Sequence, residues 1–320
     1  VRQYAFSNDG ETKNVFTYIK LPDTVTYIEN HAFYNNKYLE EIVANGVEFV
    51  GAYAFSKCSA LYKISLNSLE IAEKYAFNSS GTSYSEEYSI ELPSLRSLGE
   101  RAFSDCSSLS SFSSSLLEEI SEKAFYRCKG LKNLDVSNVK GIGADAFMEC
   151  TALETIELPE CLFLGESAFE LCQKLTYTYL PKVSTMYTNS FNLCDNILEL
   201  KLPMLTEIII GKENFDVPNL KKFYAASLLC LPDYFFANVP AEIVSVPACE
   251  SVGKFAFSNI DTLEFLEISS LESIDTNDVF YGTEGIEFID AHNLKTAKSL
   301  PANSSILVSS IPIEPITLLF

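Results

Sequence analysis

The sequence predicts one elongated solenoid of parallel β-coils, and three observations carry that reading. A marker phenylalanine recurs at Phe6, Phe33, Phe55, Phe77, Phe103, Phe125, Phe147, Phe169, Phe191, Phe215, Phe236, Phe257 and Phe280. Most spacings are 21 to 24 residues, with 27 and 26 at the two exceptions, so about thirteen coils of 21–27 residues are expected. Five consecutive 22-residue units, 99–120, 121–142, 143–164, 165–186 and 187–208, can be cut without a gap. Each unit joins a segment of apolar period two to a tighter run whose apolar residues fall about three apart.

The elements follow in order within one unit. In Leu153-Glu154-Thr155-Ile156-Glu157-Leu158-Pro159, Ile156 and Leu158 alternate with polar neighbours, which is a short strand with one buried face. The proline, repeated at Pro22, Pro93, Pro181, Pro203 and Pro247, has no N–H for a ladder and ends the strand. Next comes Ala-Phe-x-x-Cys-x-x-Leu, whose spacing suits one helical or 3₁₀ turn with Phe, Cys and Leu pointing inward. The small Ala lets backbones pack closely. One coil cannot bury two apolar faces alone, whereas stacked coils can. At about 4.8 Å per coil the stack is on the order of 60 Å long. The extra residues at Asn8–Phe16 and Asn78–Tyr88 read as loop insertions. Residues 1–291 form a single solenoid in this reading, and 292–320 a C-terminal cap or tail.

The run L-x-x-I-x-L-P followed by I-G-x-x-A-F-x-x-C-x-x-L resembles the BspA-like leucine-rich repeats, the Treponema-type class. It is read in Leu131, Leu134, Val136, Ile142, Gly143, Ala146, Phe147, Cys150 and Leu153. The likeness covers roughly residues 1–291. It departs at Asn214-Phe215, Phe235-Phe236 and Val279-Phe280, where Ala is replaced, and at 77–102, where Cys and Leu are lost. The resemblance implies a leucine-rich repeat solenoid with its parallel sheet on the concave face and turns and loops on the convex side. It also implies a surface or secreted protein of the kind linked to adhesion and host-protein binding; fold alone does not fix function.

A formal charge of −20 leaves no electrostatic footprint for nucleic acid and is repelled by an anionic membrane surface. No 18-residue apolar run exists, so no transmembrane segment is expected. The chain opens at Val1, in mid-pattern, and reads as processed or trimmed.

Little in the sequence supports catalysis. Six of nine cysteines, Cys58, Cys106, Cys128, Cys150, Cys172 and Cys194, sit three residues after the marker. They read as an inward column of free thiols, since neighbouring coils lie too far apart for disulfide geometry. Cys161, Cys230 and Cys249 fall off this column and take no role here. His31 and His292 lie near opposite ends, His31 at a solvated variable position, and no metal, cofactor or catalytic constellation can be built. The glycines of 141–147 belong to the repeat, not to a phosphate loop. Asn78-Ser79-Ser80 and Asn303-Ser304-Ser305 are sequons.

The outward strand positions carry the candidate site. One series reads Glu91, Ser113, Asp135, Glu157, Tyr179, Lys201, Tyr224, Ser245, Glu267 and Asp290. The other runs from Glu41 and Lys63 through Asn133, Thr155, Tyr177, Glu199 and Lys222 to Phe265 and Phe288. Tyr177, Tyr179 and Tyr224 are candidate anchors for an extracellular protein or a glycan, with Lys63, Lys201 and Lys222 among acidic neighbours, Asp135 and Glu157 included, setting specificity. Asp135 and Glu157 sit side by side; a cation site would need more oxygens, and a hydrolase pair would need a desolvated pocket. Phe265 and Phe288 lie under the tail in this reading. A non-enzymatic cell-surface or secreted binding protein is therefore expected; the alternative is a structural spacer with no ligand of its own.

Overall fold

The computed structural model describes residues 1–8, 15–83, 86–276, 278–284, 286–298, 300–301 and 305–307. Its strands alternate between two ladders that run the length of the molecule, and every strand pairing among the described residues is parallel. The main ladder is built from segments such as Thr155–Glu157 and Tyr177–Tyr179, with Ile156 opposite Thr178. The second ladder comes about eight residues later, in two- and three-residue strands such as Gly141–Ile142 and Phe163–Leu164. Sequence periodicity missed this second ladder, because two-residue strands are too short to show alternation.

The core is one continuous column between the ladders and the turns. Alternation in the main strands buries Ile42, Ile90, Phe112, Ile156, Leu200, Phe223, Val244, Leu266 and Ile289. The marker phenylalanines stack ring upon ring, with Phe125, Phe147 and Phe169 at centroid separations of 5.3 and 5.2 Å and 2° between planes. That is within the range in which parallel rings attract. The stack runs from Phe6 to Phe191 and resumes at Phe215, whose partner is Phe235 at 4.5 Å.

The turns differ from the helical or 3₁₀ expectation. Among the described residues there is no helix. The segment around each marker is instead a run of overlapping hydrogen-bonded turns, with Ala54 donating to Gly51, Ser56 to Tyr53 and Cys58 to Phe55 at 3.1–3.2 Å. The alternate N–H groups leave the coil: Tyr53 donates to Lys74, Phe55 to Ala76 and Lys57 to Asn78 in the next one. This third ladder requires a left-handed backbone two residues either side of the marker. Among the described residues twenty non-glycine residues there have φ between 51° and 64°, including Tyr53, Lys57, Arg127 and Leu171. Each costs roughly 1–2 kcal/mol against the right-handed region, offset by a turn bond and an inter-coil bond that most coils repeat.

Coil backbones approach closely at the glycine four residues before the marker. A Cβ on Gly143 would lie 2.6 Å from the Glu122 nitrogen, so the recurrent glycine answers a steric demand of the stack. The expected column of thiols is buried, and all nine cysteines are free. Each column thiol donates to the carbonyl of the marker one coil back: Cys128 to Phe103 at 3.0 Å, Cys150 to Phe125 at 3.1 Å, Cys194 to Phe169 at 3.1 Å. In other coils Asn36, Ser80 and Thr283 keep the bond, to Phe6, Phe55 and Phe257, whereas Pro218, Val239 and Ile260 hold that position after Phe215, Phe236 and Phe257 and have no side-chain donor. Cys161 and Cys249 replace the buried Leu or Val of the turn between the ladders, as at Val139 and Leu205. Cys230 lies exposed on the second ladder.

Both ladders continue past the expected boundary at 291. Thr296–Ala297 pairs with Ser273–Ile274, and Ser305–Leu307 pairs with Phe288–Asp290. The described part of the tail is thus a further coil beside Phe288, not a lid over it; Phe265 and Phe288 stack at 5.5 Å. The remaining tail, the sequon at Asn303 and most of the Asn8–Phe16 insertion lie outside the described residues. In the other insertion, Tyr88 turns inward and donates to the Ser80 carbonyl, filling the place of the lost Leu.

Candidate ligand-binding face

The outward side of the main ladder presents two parallel rows of side chains, because alternate residues of each strand point away from the core. One row holds Asn133, Thr155, Tyr177, Glu199 and Lys222; the other holds Asp135, Glu157, Tyr179, Lys201 and Tyr224. The hydrogen-bond ladder is interrupted beside Tyr177–Tyr179, on the side of Glu199–Lys201, although the strands remain neighbours.

The predicted residues divide into two groups. Tyr177 and Tyr179 are 50% and 46% exposed, and no ring or cation covers either face among the described residues. Asp135 and Glu157 are exposed and make no ion pair among the described residues. Tyr224 departs from the expected exposed anchor. It is half-buried, and the Lys201 ammonium lies 5.9 Å from its ring centroid. Lys201 in turn pairs with Glu199 at 3.3 Å. Burial, with the Glu199 charge second, pushes the Tyr224 hydroxyl above its ordinary pKa. Lys222 is exposed next to this self-contained cluster.

Other charges on the same face are already engaged. Lys63 pairs with Glu41 at 2.8 Å, and this contact raises the ammonium above its usual value. Glu267 accepts from the Ser245 hydroxyl at 2.5 Å, and Asp290 lies against His292. Tyr18, 51% exposed and in register with Glu41, belongs to the face as well. Continuing the row to the first strand finds it from sequence.

Elsewhere, several exposed aromatic rings stack on one another. Tyr4, His31, Tyr53 and Tyr75 stack along the turn ladder at 4.9, 5.0 and 4.6 Å. Arg101 closes the row 5.8 Å from the Tyr75 centroid. His31 is therefore not the solvated residue expected but a half-buried member of a stack, because its left-handed backbone aligns it with Tyr53. On the second ladder Tyr27 and Phe49 stack at 4.1 Å. A shallow cleft of about 270 Å³ is lined by Glu242, Asp261, Thr262, Glu264 and Glu287. Among the described residues no three His, Cys, Asp or Glu side chains are placed to hold a metal ion. Nor is any described helix long and apolar enough to cross a membrane. The Asn78 sequon is engaged: its amide donates to the Ser104 carbonyl at 3.0 Å, and the Ser80 hydroxyl is buried.

Comparison with known proteins gives a repeat family and distant structural likenesses. The description "BspA type Leucine rich repeat region (6 copies)" matches residues 1–128, 82–198, 118–242 and 184–304. No curated protein matches the chain. A leucine-rich repeat protein from Bacteroides ovatus is 20% identical, with a TM-score of 0.48 over 91% of this chain and 74% of that one. A leucine-rich cell surface protein from Faecalibacterium prausnitzii is 23% identical, with a TM-score of 0.47 over 92% and 81%. The T. pallidum leucine-rich repeat protein is 23% identical, with a TM-score of 0.39 over 57% and 78%.

Proposed function

The chain belongs to the BspA-type leucine-rich repeat family, and on that premise we propose that it is a non-enzymatic cell-surface or secreted binding protein. Its main sheet face takes an extracellular protein or glycan. The observation that carries this reading is the pair Tyr177 and Tyr179, half-exposed with free ring faces on a rigid sheet. Aromatic side chains of this kind anchor partners at little conformational cost. Contacts spread over several coils add area without requiring the backbone to move. Lys201, Lys222, Asp135 and Glu157 surround the anchors and set which partners are tolerated.

The test is a binding screen of the purified chain against extracellular-matrix proteins and a glycan array at physiological salt. The expected result is a saturable hit that weakens at least tenfold when Tyr177, Tyr179 and Tyr224 are replaced by Ser. Most of that loss should come from the first two. A hit indifferent to the triple substitution would remove the tyrosines from the site. No hit on either panel would leave a repeat spacer as the better description.

A further inference from the structure

We propose that the stretch of the main sheet face spanning Asn133–Asp135 to Tyr177–Tyr179 docks an arginine- or lysine-rich polypeptide segment, with Tyr177 and Tyr179 stacking its cations and Asp135 and Glu157 pairing with them. This rests on the sheet face being the binding surface and names the partner's chemistry. Three observations converge on it.

First, the chemistry is already present one step along the same row. Lys201 lies over Tyr224 and pairs with Glu199, so that ring and that carboxylate are occupied from within the chain. Tyr179 and Glu157 offer the same two functions, a ring face and a carboxylate, one coil and two coils before Lys201, and no cation among the described residues fills them. A cation over an exposed ring is stabilised by the ring quadrupole, and arginine adds a bidentate fork for a carboxylate.

Second, the vacant functions are contiguous. Glu41 is held by Lys63, Glu267 by Ser245 and Asp290 by His292. Asp135 and Glu157 have no such partner among the described residues and lead in the same row directly to Tyr179. Thr155 and Asn133 continue the second row beside them without a charge. Strands about 4.8 Å apart put the two carboxylates and the ring within roughly 10 Å.

Third, charge sets the sign and bounds the footprint. A chain of net charge −20 attracts a basic partner at long range. At the next coils Lys201 is paired with Glu199 and Lys222 presents a like charge, so a basic segment extends from Tyr179 towards Asp135 and Ser113, not towards Lys222.

The probe is an acetylated, amidated (Arg-Ser)8 peptide, with an isosteric peptide carrying neutral citrulline at every arginine. Affinity is measured by fluorescence anisotropy at low and physiological salt on the full chain. Y177S/Y179S keeps the net charge; D135N/E157Q removes two charges at the site; E242Q/E264Q/E287Q removes three charges elsewhere. The expected result is a tenfold or greater loss for each of the first two variants, less than a twofold change for the third, and no binding of the citrulline peptide. An equal loss in the third variant would reduce the interaction to a diffuse acidic field and overturn the proposal. So would binding of the citrulline peptide. Should Y177S/Y179S shift the unfolding midpoint, Y177L/Y179L, which keeps the bulk without the ring, replaces it. A tyrosine-dependent neutral glycan in the wider screen, with no peptide binding, overturns the basic partner and leaves the sheet face standing. If the peptide does not bind and neither panel gives a hit, both fall.

Discussion

Glu170 is only 8% exposed, just after the marker Phe169. Burial raises its carboxyl above the ordinary range; Glu213, Asp145 and Glu166 push it further, while a hydrogen bond with Ser167 pulls the other way. A carboxyl whose folded pKa lies above its unfolded one costs stability while charged. That cost is present above the folded pKa and disappears as pH falls below the unfolded value. Glu170→Gln is therefore expected to raise the thermal midpoint at pH 7.5, by roughly 1–3 °C. The advantage over the parent should shrink towards nothing by pH 4. A constant advantage across that range in paired melting curves would assign the gain to packing. At the same scale, Tyr179 and Tyr224 occupy one row of one sheet, yet the neighbouring lysine leaves one ring open and covers the other. Sequence registered both tyrosines as equivalent, since the reach of Lys201 is not written in strand alternation.

The turn ladder behaves as an element of its own, and it explains which parts of a coil were legible. The strand was readable because Ile156 and Leu158 alternate with Glu157 at the period of a pleated sheet. The turn was not. Its left-handed positions carry Tyr53, Lys57, Arg127 and Leu171, where glycine or asparagine would have been the usual signal. Apolar spacing alone therefore suggested a helical turn. The thiols within this element are held out of solvent. Burial raises Cys58 to about 12 and Cys161 and Cys249 to about 11, with Cys150 and Cys194 driven well above the usual thiol range by the same cause. A thiol reagent at pH 8 is expected to modify the exposed Cys230 alone in the native protein and all nine cysteines after denaturation. Mass spectrometry counts the adducts. Rapid native labelling of any column thiol would mean that the turn ladder opens locally.

Across the whole molecule, stability is passed chiefly between nearest neighbours, since each coil packs on the coils beside it and only surface pairs such as Lys212–Glu166 and Lys132–Glu87 reach one coil further among the described residues. Removing one marker ring should therefore have local reach. Phe147→Ala deletes contacts with Phe125 and Phe169 and is expected to cost about 3–5 kcal/mol. Hydrogen exchange should show protection lost in the coils around residue 147 and retained beyond Phe236, past the break in the ring stack between Phe191 and Phe215. Uniform loss along the chain would indicate a single cooperative unit instead. The repeat made the architecture legible from the sequence, because thirteen copies average out local ambiguity; the site is written in single residues, where no averaging is possible. The bond from each third-position donor to the preceding Phe carbonyl has one more consequence. Asn36, Cys58, Ser80 and Thr283 all serve as that donor, so the mating edges of the coils are interchangeable. Excising residues 121–142 would bring Ile120 against Gly143 and offer Cys150 the carbonyl of Phe103 in place of that of Phe125. The molecule is in this sense a ruler, graduated at about 4.8 Å for each repeat, and its length can change by whole divisions without a new joint having to be invented.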